Sequence, residues 1–467
     1  MKITLILAAA KNDPLKKNDP FMPLSLPLIA AAAPDHEYTF VDMLAGEKPN
    51  PKKPCDLVGI SARITAEKTA FEIANTYRKQ GVPVVLGGAQ ISSNPYEAAS
   101  HADAVVIGEG EGVWPQLLED FQQKALKRFY VGNGHRFDGR GESVHMSDGY
   151  LDLNTAEGAI ATRSLYKKRY VFNTVYAARG CAVGCDFCSV GHIFGRKTRL
   201  RPVDEVVREI ATFKNFYYLL DDTVFGRPAT YSYYSELYDR IIASDKVRYW
   251  TGQANLDAAS TPEGRDVIRK AAEAGLLYAA VGMESVNPAV LKKAGTISKN
   301  GETDPARVVD RMRENIRFIQ DQGIAISGWF TIGYEEDSVE TFYQTLDFCK
   351  ETNIIPVLCP LEALPGTPLY DRLNDEERVD FNKKVNVVHP SMSDDDILGA
   401  ITACTKQGFT LSETMKRTRF FADRLAGLSH RHNVDRRAFY EKTIFIFVLQ
   451  LKLKKGVIGL ANTGGAF

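Results

Sequence analysis

Ala178-Arg179-Gly180-Cys181-Ala182-Val183-Gly184-Cys185-Asp186-Phe187-Cys188-Ser189 sets three cysteines within eight residues at C-x3-C-x2-C spacing, with an aromatic residue immediately before the last. Thiolates this close on a glycine-containing loop can turn together toward one soft metal centre. The run offers no fourth ligand. A structural zinc site wants four ligands in closed tetrahedral geometry, whereas a [4Fe–4S] cluster held by three thiolates keeps one iron open. The spacing therefore points to chemistry at an open iron, with a zinc loop as the alternative.

Outward from the loop, Thr174-Val175-Tyr176-Ala177-Ala178 reads as a strand, and βα alternation then continues through six units. Strands are expected at 173–178, 216–221, 247–253, 278–285, 324–332 and 354–361, with helices at 203–213, 231–243, 261–274, 305–322 and 338–352. In barrels built from such units the chemistry sits at the carboxyl ends of the strands.

The cysteine run resembles the cluster motif of the radical S-adenosylmethionine (SAM) enzymes, C-x3-C-x-aromatic-C after a first strand. The resemblance implies a partial (β/α)6 barrel over 171–372 and a [4Fe–4S] cluster on Cys181, Cys185 and Cys188. SAM would chelate the open iron and be cleaved by one electron to a 5′-deoxyadenosyl radical. It also implies roles at the strand ends. Asp221 or Asp222 would meet the SAM amino group, because an ammonium gains from an adjacent carboxylate; a helix cap is the other use of either. Gln253 ends the third strand. Gly282-Met283-Glu284-Ser285 resembles the family's G-x-E-S strand end near SAM. A carboxylate in a barrel mouth needs a donor or cation, which ribose hydroxyls or an Arg would supply. Gly328-Trp329-Phe330-Thr331-Ile332-Gly333 resembles the G-x-I-x-G segment near the adenine and methionine moieties, and Pro365-Gly366-Thr367-Pro368 the P-G-T-P turn after the sixth strand. Phe187 would pack on the cluster or the adenine edge. Arg199 and Arg201 would meet the SAM carboxylate or the anionic cluster surroundings, or form a solvated basic face. Cys359 on the sixth strand is expected to face the pocket. Cys55, Cys349 and Cys404 read as inert buried thiols and His192 as structural.

Residues 1–125 alternate in the manner of a doubly wound parallel sheet, with strands at 3–8, 38–42, 56–61, 82–88 and 104–111 and helices at 23–33 and 67–80. Glycines stand at the carboxyl ends, where such sheets bind ligands. This order resembles the cobalamin-binding Rossmann-like domain that precedes the barrel in one large radical SAM subfamily. The matching pieces are Ser61, Gly87-Gly88 and Gly108-Glu109-Gly110-Glu111, which makes Ser61, Gly87, Gly88 and Glu109 the implied cobalamin contacts. Bare backbone at Gly87-Gly88 would let a large flat ligand approach. The D-x-H-x2-G motif of other cobalamin proteins is missing: the corresponding Ala9-Ala10-Lys11-Asn12-Asp13-Pro14 has no histidine. Radical SAM members of this subfamily commonly lack it too. A sheet that has lost its ligand and survives as scaffold is the alternative.

The remaining chain bounds the reading. Lys+Arg and Asp+Glu are 58 each, which argues against a nucleic-acid partner. Hydrophobic residues at 44% and charged residues at 25% describe an ordinary soluble globular chain. Seven cysteines, three of them clustered, suit a reducing compartment, hence the cytoplasm. The opening Met1-Lys2-Ile3-Thr4-Leu5-Ile6-Leu7-Ala8-Ala9-Ala10 reads as a first buried strand rather than a signal peptide. No apolar run is long enough to span a membrane. Residues 443–460 are interrupted by Lys452, Lys454 and Lys455 and read as a docking helix in preference to one lying on a membrane surface. Residues 126–170 read as a linker, and 373–467 as a helical region with Ser393 as an N-cap.

The basic, aromatic stretch 416–437 (Arg417, Arg419, Phe420, Phe421, Arg424, Arg431, Arg436, Arg437) could be a solvated helical face, an acidic-substrate site or a contact for a membrane-embedded substrate. C-terminal extensions of related enzymes often help close the substrate site, so specificity is expected here. The implied reaction is methylation of an unactivated carbon. One SAM would supply the radical, a second would remethylate cob(I)alamin, and methylcobalamin would deliver the methyl group. Radical chemistry without methyl transfer (cyclisation, oxidative ring formation or C–C bond formation) is the enzymatic alternative, and a non-catalytic metal-binding protein the other. The expected partners are a small-molecule, lipid-like or tetrapyrrole substrate and an electron donor such as flavodoxin or ferredoxin.

Overall fold

The run Ile3-Thr4-Leu5-Ile6-Leu7-Ala8 is apolar on both of its faces, the pattern of a strand covered by helices on each side. It forms β1 (Lys2–Ala8), buried from its second residue onward. The computed structural model describes all residues except 12, 14–15, 18, 64–65, 133–136, 155–159, 161, 215, 245–248, 433–435 and 464–467; of 428–432, 436–438 and 459–463 it describes the backbone alone. The chain divides into two units, Met1–Gly180 with Ser189–Thr212, and Cys181–Cys188 with Phe213–Phe467.

In the first unit β1 is joined by β2 (Glu37–Asp42), β3 (Leu57–Ala62), β4 (Val84–Gly87), β5 (Ala104–Ile107), β6 (Phe129–Val131) and β7 (Val144–Met146) in one sheet, order β2-β1-β3-β4-β5-β6-β7. Every neighbouring pair is parallel. Alternate side chains feed two cores: Ile6, Val58, Ile60 and Leu86 in one, Leu5, Leu7, Leu57 and Val85 in the other with Trp114 and Leu117. Burying one such side chain fully stabilises the fold by roughly 1.5–3 kcal/mol before chain entropy is counted. Residues 126–170 differ from the linker reading: they carry β6 and β7, which extend the sheet at its edge. Gly134 of that stretch lies outside the described residues.

The order 2-1-3-4-5 has its switch point between β1 and β3, and ligands of such sheets bind beyond the carboxyl ends there. Ser61 lies in register with Leu7 on one side and Gly87 on the other. Ser92 bridges the next two loops, donating to the Gly88 carbonyl and accepting from the Gly108 N–H, both at 2.9 Å. Gly88 has φ +104°, and a Cβ there would lie 2.6 Å from the Ala62 carbonyl oxygen. Its glycine requirement is thus met by the chain's own packing, and no ligand need be invoked for it.

Further along the chain lie β8 (Asn173–Val175) and the antiparallel pair β9 (Ala178–Arg179) and β10 (Arg199–Leu200). The second unit contains β11 (Tyr217–Leu219), β12 (Trp250–Ala254), β13 (Leu276–Glu284), β14 (Ala325–Ile332) and β15 (Ile355–Pro360), each parallel to the next. Strands thus stand at all six expected places, although 247–248 of the third lie outside the described residues. Helices Tyr231–Ile242, Pro262–Glu273, Val308–Gln320 and Val339–Glu351 alternate with the later strands.

Ser393 caps Asp394–Gly408 as expected, its hydroxyl accepting from the Asp396 N–H. Helices Leu411–His432 and Arg436–Thr463 follow. Phe421, Leu425 and Ile446 pack with Leu277, Ala325 and Ile355, which open β13, β14 and β15. These two helices therefore cover the amino ends of the strands, opposite to where barrel chemistry sits, and the expectation that they close the substrate site is corrected. Nor is the stretch simply a solvated face. Arg417 is buried and donates to Gln450 Oε1 and the Gly408 carbonyl, both at 2.7 Å. Arg424 pairs with Asp321 at 3.0 Å. Arg419 alone of the three is solvated. The side chains of Arg431, Arg436 and Arg437 lie outside the described residues. Among the described residues no helix is long and apolar enough to cross a membrane.

Gly88→Ala should destabilise the first unit by about 2 kcal/mol or more, since strain at positive φ adds to a backbone clash. Urea denaturation followed by tryptophan fluorescence reads this, and a wild-type midpoint would contradict the packing described for Ala62.

Candidate active site

A loop that presents three thiols must itself be held, because eight residues with a glycine among them have little structure of their own. Asp186, inside the cysteine run, does this. Its N–H donates to the Ala294 carbonyl at 3.2 Å, its carbonyl accepts from the Leu369 N–H at 2.9 Å, and its carboxylate accepts from the Tyr334 hydroxyl at 2.6 Å. Leu369 is in the first turn of the helix Pro368–Asp375, which Thr367 caps by accepting from the Tyr370 N–H at 3.2 Å. The Pro-Gly-Thr-Pro turn thus fixes the helix start that grips the cysteine loop. Gly184 within the loop has φ +77°, and the Cys188 N–H closes a turn onto the Cys185 carbonyl at 3.3 Å. All three cysteines are free thiols, Cys185 buried and the others half-buried.

Beside them at the end of β13 stands Glu284, a non-glycine residue at φ +67°, a conformation that persists only where the surroundings enforce it. Here two partners do so. Lys299 Nζ lies 2.5 Å from Glu284 Oε1, and the Thr331 hydroxyl donates to Oε2 at 2.9 Å. A Cβ on Gly282 would sit 2.6 Å from Glu284 Oε1 and 2.8 Å from Lys299 Nζ, so the glycine makes room for the pair. The carboxylate of the G-x-E-S strand end therefore has its cation, a buried lysine where the sequence suggested an arginine or ribose hydroxyls. Lys299 stands in the short turn Ser298–Asn300, with no motif around it to mark it.

These groups act on the thiols. Burial pushes the Cys185 thiol up to about 12; Lys299 opposes this, while Glu284, Cys188 and Cys181 add to it. Cys181 is raised chiefly by burial and also by Asp222, with Lys299 and Arg227 opposing. Burial by itself would lower the Lys299 ammonium, but Glu284 and the neighbouring cysteines raise it overall. Metal ligation draws protons off such thiols, and Lys299 then stands as the nearby charge that offsets the thiolates. Three soft donors with no fourth residue, next to a buried ammonium, suit a cluster with an open iron. Among the described residues no three His, Cys, Asp or Glu side chains, the three cysteines included, are gathered closely enough to hold a metal ion as they stand.

The other expected site residues separate into two groups. Asp221 is fully buried and accepts from the Tyr234 hydroxyl at 2.8 Å, whereas Asp222 is half-buried and near enough to Cys181 to raise its thiol. Gln253 is exposed and hydrogen-bonded to Tyr218. Ser285 is buried and accepts from the Asn287 N–H at 2.9 Å. Phe187 is half-buried next to Asp186. The Cys359 thiol is pushed up to about 12 by burial, with Glu284 and Glu362 adding to it. Gly328 answers to packing: a Cβ there would meet the Phe330 ring at 2.7 Å and Ile354 at 2.8 Å. Arg199 and Arg201 form no solvated face. Arg201 is buried and donates to the Tyr176 carbonyl and Glu209, both at 2.9 Å. Arg199 donates to Glu109 at 2.9 Å and to the Leu151 carbonyl at 2.8 Å. Glu109 is in turn an ion-pair partner, with only its buried Oε2 lacking a hydrogen bond.

Removing Lys299 leaves Glu284 buried and unpaired. Lys299→Met should destabilise the second unit by about 3–5 kcal/mol, and adding Glu284→Gln should recover part of that loss. Denaturation of the single and double variants measures it, and simple additivity of the two substitutions would contradict the pairing.

The profile of the Radical SAM superfamily matches residues 175–349. Bacteriochlorophyllide d C-12(1)-methyltransferase of Chlorobaculum tepidum is 29% identical over 371 residues, 76% of this chain and 75% of that protein. Bacteriochlorophyllide d C-8(2)-methyltransferase of the same organism is 25% identical over 375 residues, 78% of each. The solved structure of the cobalamin-dependent S-adenosylmethionine radical enzyme OxsB with aqua-cobalamin and S-adenosylmethionine bound superposes with a TM-score of 0.68 at 16% identity, covering 99% of this chain and 81% of that one. Residues 175–349 thus match the Radical SAM superfamily, and the chain has the fold of the cobalamin-dependent radical enzyme OxsB.

Proposed function

We propose that the chain is a cobalamin-dependent C-methyltransferase that methylates an unactivated carbon of a tetrapyrrole-type substrate. The observation that supports this most is the succession of a parallel sheet in the order 2-1-3-4-5 and a radical SAM domain, in a chain that aligns over three-quarters of its length with two bacteriochlorophyllide methyltransferases. Cys181, Cys185 and Cys188 would hold a [4Fe–4S] cluster. When bound, the cluster and SAM supply a 5′-deoxyadenosyl radical and cobalamin supplies methyl transfer.

The chain's own residues bind, orient and balance charge. Lys299 offsets the charge of the thiolates. Asp222, the nearer of the two acidic residues to the cysteine loop by its effect on Cys181, would meet a SAM ammonium. Gln253 and Ser285 are polar groups at the ends of β12 and β13. In residues 1–125, Ser61, Gly87 and the unpartnered Glu109 Oε2 would face the amide-bearing rim of a corrinoid. The clustered thiols suit the reducing cytoplasm and a flavodoxin- or ferredoxin-type electron donor.

One observation favours a second reading, in which the sheet is vacant and the radical drives cyclisation, oxidative ring formation or C–C bond formation. Glu109 Oε1 and the space at Gly88 are both taken by the chain itself. Anaerobic turnover with methyl-deuterated SAM, reductant and a bacteriochlorophyllide-type chlorin separates the two. The proposal expects a deuteromethyl product together with 5′-deoxyadenosine, and Cys185→Ala should reduce both to background. 5′-Deoxyadenosine without any labelled product from tetrapyrroles would favour the second reading, and its absence from the wild-type reaction would contradict both.

A further inference from the structure

We infer that Glu335 is a positioning residue for the cysteine loop, a single carboxylate that ties together the three elements gripping Asp186. The inference rests on the reading of Cys181, Cys185 and Cys188 as cluster ligands but not on methyl transfer. The grip comes from Ala294, Leu369 and Tyr334, which belong, like the cysteine loop, to the second unit. Next to each of them in the chain stands a member of one ion cluster. Lys293 precedes Ala294 and ends the helix Pro288–Lys293; its Nζ lies 2.6 Å from Glu335 Oε2. Arg372, a turn on from Leu369 in the helix Pro368–Asp375, places Nη1 2.8 Å from Glu335 Oε1. Glu335 itself follows Tyr334 in the turn after β14. A further arm comes from Arg378, whose Nη1 is 2.6 Å from Oε1.

The turn that carries Glu335 is anchored independently. Asp337 is buried and accepts from the Gly333 and Tyr334 N–H groups at 2.9 and 3.1 Å. His389, whose Nδ1 accepts from the Met392 N–H at 3.0 Å, donates from Nε2 to the Tyr334 carbonyl at 2.9 Å. The turn is therefore a platform, and the two helices that complete the grip are drawn to it through Glu335. Burial alone would raise the Glu335 carboxyl, but Lys293 and Arg372 hold it well below the usual carboxylate range, so it is ionised at neutral pH. Glu336 meets Lys293 at 3.0 Å and Glu376 meets Arg378 at 3.0 Å, so three cations face three carboxylates. Partial exposure of Lys293 and Arg372 discounts each pair taken singly, but pairs sharing one carboxylate act jointly. Without the Glu335 charge the cations outnumber the carboxylates, and the helix that carries Leu369 loses its attraction to the turn that carries Tyr334.

An ion cluster of this kind could instead serve stability alone, so the test compares variants of the full-length chain. Glu335→Gln removes the shared charge, and Lys293→Gln and Arg372→Gln each cut one arm. Ile268→Ala opens a cavity on the buried face of the helix Pro262–Glu273, in the same unit but outside the grip. In the metal-free protein, iodoacetamide labelling followed by mass spectrometry gives the rate for Cys185 relative to Cys349, two buried thiols of the second unit. Glu335→Gln should raise that ratio about fivefold or more, and the single-arm variants should raise it in the same direction by less. Ile268→Ala should lower the thermal midpoint without raising the ratio. Salt at about 1 M should raise the wild-type ratio and move that of Glu335→Gln less, because the pairs it screens are gone. A wild-type ratio in Glu335→Gln would overturn the inference, as would an equal rise in Ile268→Ala or an equal salt response in the wild type and Glu335→Gln. Because the ratio is read without a cluster, failure of the cluster reading is seen separately, as a wild-type chain that takes up no iron.

Discussion

Three thiolates on eight residues, with no fourth protein ligand, can serve an open iron only if the backbone that carries them is fixed from outside. Asp186 supplies that fixation in the second unit. Both of its backbone groups and its carboxylate are bonded, to Ala294, Leu369 and Tyr334. Each partner owes its place to an ordinary local device: a strand end for Tyr334, a Thr-capped helix start for Leu369, and a helix C-cap for Ala294. The cysteine loop inherits its shape from these elements.

Charge is the second constraint. The pairing of Glu284 with Lys299 brings a carboxylate and an ammonium out of water together, which is tolerable only with close geometry and a further donor. The 2.5 Å contact and the Thr331 hydroxyl meet both conditions. The result is a fixed positive group beside three thiols that must become anionic to bind metal. In the first unit the same rule shapes Glu109 and Glu111 against Arg179 and Arg199.

How much of this was legible depends on whether the signal is local. Apolar runs such as Ile3-Thr4-Leu5-Ile6-Leu7-Ala8 and the Ser393 cap carry their meaning within a few residues, and the corresponding elements stand where expected. Lys299 carries none, because its partner lies fifteen residues away across a β-to-helix connection. Arg199 and Arg201 read as solvated or ligand-facing, since composition does not reveal that Glu109 and Glu209 wait for them. β6 and β7 have only three residues each and gain their order from the sheet edge they join. Gly88 and Gly328 look alike in sequence to ligand-approach glycines, but the neighbours their missing side chains accommodate belong to the chain itself. The C-terminal helices were recognisable as helices, while the end of the strands they cover is a property of the tertiary fold.

The central claim is that this loop and this sheet serve two cofactors in one chain. The most direct test is anaerobic reconstitution with iron, sulfide and hydroxocobalamin, followed by quantification of metals and corrinoid in the purified protein. The account predicts about four irons and one corrinoid per chain, with the iron lost in Cys185→Ala. Zinc in place of iron would contradict the cluster, and four irons with no corrinoid would contradict the role given to the sheet.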